Sequence, residues 1–243
     1  MIHPKEFLKL DNCCKITFLE GLQELMGGYT GTTDGNKGGD RFSYKQYGHF
    51  YAGHFEHYLK KNYPKDYQLI YCEVGILLGH GLGVANKLFP EAQIIGLDIN
   101  LDRVIKRFDN EFIDGSLTLQ PLNKVAFKDE DINFKMPIGN NKLNLYEIDQ
   151  LDDWTSNYKI LDKILSNGSE HETLDIIVDD GLHSHKSIVN TFKFLEPFFA
   201  DDFVYFIEDI GRCENDDIFK DINSANLYYI ADHDNNMMVI KRK

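Results

Sequence analysis

Cysteine is scarce, with four in 243 residues. Cys13 and Cys14 are adjacent, Cys72 sits in an apolar stretch, Cys213 in a polar one, and no Cys-x-x-Cys spacing occurs. This excludes a disulfide framework and a cysteine-built zinc site, and it suits a reducing, cytoplasmic setting. Positive charge is also in short supply: 26 Lys and Arg against 39 Asp and Glu leave a formal charge of -13. Such a surface repels phosphate backbones and anionic lipid heads, so neither nucleic acid nor membrane is an expected partner. No hydrophobic run approaches a membrane span, and the mixed, charged N-terminus lacks the apolar core of a signal peptide. Repeats and low-complexity tracts are missing too. What remains is an ordinary globular balance, 42% hydrophobic and 27% charged. A chain of this length buries roughly three quarters of its unfolded surface, enough for a full core.

The pattern along the chain predicts two parts: a helical, cleft-covering segment over 1–66 and an α/β core over 67–243. Phe7, Leu8, Leu10, Ile16, Leu19, Leu22 and Leu25 form a helical stripe, broken near Asp11 and Asn12. It suits a docking helix or the contact of a homo-oligomer. A Gly-, Thr-, Asp- and Asn-rich loop follows from Gly27 to Gly39, then an aromatic and histidine-rich helix ending before Pro64. From Leu69 onward strands and helices alternate. Strands are expected at 69–74, 93–98, 143–148, 174–178 and 203–207, with helices near 80–89, 101–108, 154–165 and 184–195. This is the signature of a parallel sheet covered on both faces. The stretch 109–142 reads as an insertion with a weak strand near Leu117 to Gln120. Two final strands, 226–231 and 237–241, flank an Asp/Asn turn and form an antiparallel hairpin.

Two places carry chemistry. The first strand runs into Glu73-Val-Gly75-Ile-Leu-Leu-Gly79-His-Gly81, a turn whose glycines let the backbone approach a ligand beside a helix N-terminus. The next strand ends in Asp98, whose carboxylate can accept both hydroxyls of a ribose. That geometry suits a nicotinamide or an S-adenosylmethionine (SAM) ligand. The second place is Asp179-Asp180-Gly181-Leu182-His183-Ser184-His185 after one strand and Glu208-Asp209 after the next. Ligands of open α/β sheets sit at the carboxyl ends of the strands. Neighbouring strands lie roughly 4.8 Å apart, so these acids would converge. A carboxylate cluster is unfavourable unless compensated, and a hard dication such as Mg²⁺ or Mn²⁺ is the simplest compensation. Asp179, adjacent to Asp180, is expected to face the other way.

The spacing Glu-x-Gly-x-x-x-Gly-x-Gly from Glu73 to Gly81 resembles the first motif of class I SAM-dependent methyltransferases. The terminal hairpin resembles the end of their Rossmann-like, seven-stranded sheet. The resemblance implies that Glu73, Gly75, Gly79, Gly81 and Asp98 contact the donor, with Asp149 beside the adenine. Asp-Asp-Gly-x-His, followed one strand later by Glu-Asp, resembles the metal-dependent sugar O-methyltransferases of macrolide biosynthesis and their capsule-polysaccharide relatives. On that likeness Asp180, Glu208 and Asp209 bind Mg²⁺ and His183 is the base, with His185 the runner-up. Thr32-Thr33-Asp34-Gly-Asn-Lys37 and His49-Phe-Tyr51 resemble elements that border the cleft, and Thr33 joins the donor set. Leu182 stands where relatives often have Ser. The implied activity is methyl transfer to the hydroxyl of a sugar or nucleotide-activated sugar, with Lys37, Arg41 and Lys45 available to an anionic acceptor. The rivals are an NAD-linked oxidoreductase and a SAM-binding module without turnover. The cluster of His49, His54 and His57 is more simply an aromatic cleft rim than a metal site.

Overall fold

The computed structural model describes residues 4–25, 41–42, 45–61, 63, 67–104, 134–138, 141–151, 173–210, 215–222, 227–232 and 236–243. Two helices open the chain, α1 (Pro4–Phe7) and α2 (Asn12–Leu25), separated where the sequence predicts a break. Asp11 causes it by accepting the Cys14 amide at 2.8 Å, the side-chain capping that starts a new helix. Helix α3 (Gly48–Lys60) follows, buries Tyr51, Ala52, Phe55 and Tyr58, and packs on α2.

The core alternates as the sequence predicts. Strand β1 (Ile70–Val74), helix α4 (His80–Leu88) and strand β2 (Gln93–Asp98) form the first unit. Strands β3 (Phe134–Ile138), β4 (Asn141–Glu147) and β5 (Leu174–Asp179) come next, then helix α5 (His185–Leu195) and strand β6 (Phe199–Ile207). Helix α6 (Asn215–Ile222) and the hairpin β7 (Leu227–Asp232) and β8 (Met237–Arg242) complete it. The strands make one eight-stranded sheet in the order β3-β4-β2-β1-β5-β6-β8-β7. Pairing is parallel from β4 to β6 and antiparallel at both edges.

Among the described residues the sheet has eight strands, one more than expected. The extra one, β3, lies in the stretch expected to be irregular and pairs with β4 across a short connection. Its neighbour β4 supplies the register, which local sequence does not show. The strand expected at 117–120 and the helix expected at 154–165 lie outside the described residues.

Side-chain alternation sorts the sheet into two cores. Tyr71, Ile94, Leu145, Ile176, Val178, Val204 and Phe206 face one way and pack with Leu19, Leu22, Tyr51, Phe55 and Leu82. Ile70, Cys72, Ile95, Ile177, Tyr205 and Ile207 face the other and pack with Ile188, Phe192 and Leu195 of α5. The N-terminal helices thus share a core with the sheet. Among the described residues, no helix is long and apolar enough to cross a membrane.

Candidate active site

Strands β5 and β6 are parallel neighbours, with Asp179 opposite Ile207. Beyond their last paired residues the ladder continues: Asp180 N donates to Val74 O, and Glu208 N to Asp179 O, both at 2.9 Å. This carries Asp180, Glu208 and Asp209 to one edge of the sheet, as the sequence implies. Adjacent residues diverge there. Asp179 is buried on the α5 side, where it accepts Gln150 Nε2, Tyr205 OH and Gly181 N at 3.0, 3.0 and 3.3 Å. Burial nevertheless lifts its carboxyl to about 6 against these donors.

On the opposite side one atom each from Asp180, His183 and Asp209 fall within 4.8 Å of one another. His183 Nε2 stands 3.7 Å from Asp180 Oδ1. Its Nδ1 lies 3.2 Å from the Glu208 carbonyl oxygen. A carbonyl can only accept, so in the neutral ring Nδ1 carries the proton and Nε2 turns its lone pair to the acids. His183 and Asp209 both have left-handed backbones, with φ of 54°.

The acids are partly compensated by the protein itself. Arg41, 6% exposed, reaches three of them: Nη2 lies 2.9 Å from Glu73 Oε1 and 3.3 Å from Asp180 Oδ2, and Nε 2.5 Å from Glu208 Oε1. Tyr51 OH also donates to Glu208. Lys45 Nζ lies 2.9 Å from both Asp209 oxygens, and Tyr47 OH donates to Asp209 Oδ1 at 2.6 Å. The compensation is uneven. Burial pushes Asp209 up, but Tyr47 and Lys45 outweigh it and hold the carboxyl below its usual range. Asp180 and Glu208 are held above theirs by burial, with each other's charge or that of neighbouring acids adding to it and Arg41 opposing. Four carboxyl groups here face two cations, so the cluster carries surplus negative charge whenever more than two of them are ionised. Two carboxylates converging with that surplus fit a divalent cation, and the imidazole stands beside them.

A cavity of about 420 Å³ opens beside the cluster and is lined by Glu73, Gly75, Gly81, Asp98, Asp149, Asp180 and His183, among others. Asp98 accepts the Leu77 and Asn100 amides at 2.9 Å, which fixes its carboxylate at the end of β2. Asp149 accepts the Leu151 amide at 2.8 Å. The glycines have particular duties. A Cβ at Gly75, whose φ is 79°, would meet the backbone of Asp180 and Gly181. A Cβ at Gly81 would meet the Glu73 carboxylate and the Arg41 guanidinium. Gly79 does not line the cavity; it is the left-handed residue preceding α4.

Other expected residues fall elsewhere. Glu73 spends its carboxylate on Arg41 and on Tyr71 OH, 2.8 Å away, though it still lines the cavity. His49 is exposed and bonds its ring to Gln46 O. Of that expected pair Tyr51 does reach the acids, through Glu208, while Lys45 and Tyr47, also two positions apart, reach Asp209. His54 packs on Phe206 and His57 pairs with Asp202, and neither lines the cavity, so these histidines serve packing and an ion pair rather than a cleft rim. His185 points to Asp221, 3.2 Å away. Thr33 and Lys37 lie outside the described residues. Gln150, which bridges Asp179 to the Leu182 amide, carries no local sequence signal.

No protein-family model matches the sequence, and no curated protein matches it. Solved structures do. A MycE methyltransferase from the mycinamycin biosynthetic pathway, in complex with Mg, SAH and mycinamycin VI, superposes with a TM-score of 0.52 at 16% identity. The match covers 92% of this chain and 54% of that one. MycE with Mg and SAH alone gives 0.51 at 17% identity over the same shares. The fold is a methyltransferase fold. The chain spans about half the length of these MycE structures, and at such identities the likeness concerns architecture.

Proposed function

We propose that the chain is a SAM-dependent, divalent-metal-dependent O-methyltransferase acting on a sugar hydroxyl. The observation that carries this reading is the meeting of Asp180, His183 and Asp209 beside the cavity, which Asp180 and His183 line together with Gly75, Gly81 and Asp98. Asp98 receives the donor's ribose, Asp149 borders its adenine, and the turn from Gly75 to Gly81 receives its amino-acid end. Thr33 belongs to the same set on the family resemblance.

Asp180 and Asp209 would hold the dication, with Glu208 the third acid of the set. Mg²⁺ or Mn²⁺ bound there would acidify the acceptor's hydroxyl. His183 takes the hydroxyl proton on Nε2, the atom its Nδ1 bond leaves unprotonated. The hydroxyl oxygen bonds to the donor's methyl carbon as the carbon–sulfur bond breaks, giving a methyl ether and S-adenosylhomocysteine, with the proton on His183. Holding both reactants in line supplies much of the rate. The likeness to capsule-type relatives supports a nucleotide-activated sugar, such as a GDP-linked heptose for surface polysaccharide, as the acceptor.

Mass spectrometry of nucleotide-sugars incubated with the protein, SAM and Mg²⁺ tests this. A product heavier by one methyl group, lost in excess EDTA and restored by Mg²⁺, is expected. Donor binding without product from any sugar would favour the silent binding module. Binding of NAD in place of SAM would favour the oxidoreductase.

A further inference from the structure

The acid cluster already holds two cations, and they are not equivalent. Arg41 is buried and tied to three carboxylates on two strands and the glycine turn. It occupies space that only a glycine at position 81 leaves open. Lys45 is different. Its side chain is 31% exposed, it sits on a flexible four-carbon stem, and its ammonium touches both oxygens of Asp209. Tyr47 takes up Oδ1 as well. Every oxygen that Asp209 could offer a metal is therefore engaged, and the nearest removable partner is Lys45.

We propose that Lys45 is the resident counter-ion of the metal site, and that a dication enters by displacing its ammonium from Asp209. The proposal rests on the metal reading given above. An ammonium and a dication sharing one carboxylate repel each other strongly in a partly buried site. The two-point contact of Nζ with Asp209 means that a metal on either oxygen would sit close to the ammonium while it lasts. Arg41 stays in place, because moving it would strand Glu73 and Glu208, both 2% exposed. The exchange weakens apparent metal affinity, since part of the binding energy goes into parting Lys45 from Asp209.

The test is Mn²⁺ binding by the full chain, followed by the EPR signal of unbound Mn²⁺, in the wild type and in Lys45→Met. Removing the competitor should tighten Mn²⁺ binding about 10-fold. Equal or weaker binding overturns the proposal, because a lysine that merely orients Asp209 for the metal would cost affinity when lost. Lys45→Gln repeats the measurement with a polar side chain should the methionine variant fail to fold. A second readout uses diamagnetic Mg²⁺. The ¹⁵Nζ resonance of Lys45, assigned by its loss in the variant, should move on Mg²⁺ addition; a stationary resonance also overturns the proposal. Mn²⁺ binding to none of these proteins would sink the metal reading itself, whereas equal binding to all of them sinks only the exchange.

Discussion

The two ends of strand β5 begin and finish with an aspartate in polar company, and they are built on opposite terms. At the amino end, buried Asp175 accepts the Ile70 amide at 2.8 Å and the Tyr67 hydroxyl, while Tyr58 OH donates to the Asp175 carbonyl at 2.9 Å. Nearby Asp202 pairs with His57 at 2.9 Å and Lys61 at 3.1 Å. Lys61 in turn lies 5.0 Å over the Tyr63 ring, which stacks on Tyr67. Acids and bases there are matched, and the assembly clamps α3 to the sheet. At the carboxyl end the same helix contributes Tyr51 to Glu208, yet acids outnumber the cations that face them. One end is finished by the protein alone; the other is left with charge for something else to neutralise. Both cost desolvation, but only the surplus end makes sense as a binding site.

The sharpest way to break that contrast is to remove one aspartate from each end. Asp180→Asn should lower methyl transfer on the order of 100-fold or more and abolish its response to Mg²⁺, as expected when a metal's charge stabilisation is lost. Asp175→Asn should leave both unchanged, and steady-state rates across a Mg²⁺ titration would decide. If the two variants behaved alike, the division between the ends would be false. Next in size, His183→Ala should slow transfer by about 100-fold, the usual scale of a lost general base. Calorimetry should find S-adenosylhomocysteine affinity unchanged; a parallel loss of affinity would make His183 a binding residue.

The closed end predicts a pH effect. Burial lifts Asp175 from 3.8 to about 6, against the opposing Tyr67 and Ile70 hydrogen bonds. A carboxyl whose folded pKa lies above its unfolded one binds more protons when folded, so stability should fall as pH rises from about 4 to about 6 and then level off. Asp179, raised to about 6 by burial, adds to the same slope. Denaturant melts of Asp175→Asn should show a shallower dependence than the wild type. A slope of opposite sign would mean that hydrogen bonding outweighs burial at these groups. Smallest is Tyr58→Phe, expected to cost about 1 kcal/mol for its lost hydrogen bonds. Its melting temperature should drop while Mg²⁺ dependence holds.

The carboxyl end was the more legible of the two in sequence. Asp180, Glu208 and Asp209 stand immediately after predicted strands, and parallel neighbours bring such positions together whatever lies between. Arg41 and Lys45 are expected to serve an anionic acceptor, and their pairing with these acids is not legible for a physical reason. Arg41 meets Asp180 across 139 positions and Lys45 meets Asp209 across 164, and no local periodicity encodes a contact of that range. Tyr47 and Tyr51 reach Asp209 and Glu208 through their hydroxyls, a role that an aromatic-rich stretch does not spell out. Asp175 stands near the start of a strand, where nothing local announces burial; Tyr58 and Tyr67 cover it. Strand β3 is specified by pairing with β4, and an edge strand of that kind leaves little mark of its own.

His183 and Asp209 hold left-handed backbones without being glycine. Each such residue forgoes on the order of 1 kcal/mol. Evolution therefore has a cheap route to a sturdier molecule here, namely glycine at either position, and that route leads straight through the loss of the chemistry. A thermostability screen that ignores turnover should select those substitutions first, and so report the positions where durability and purpose are at odds.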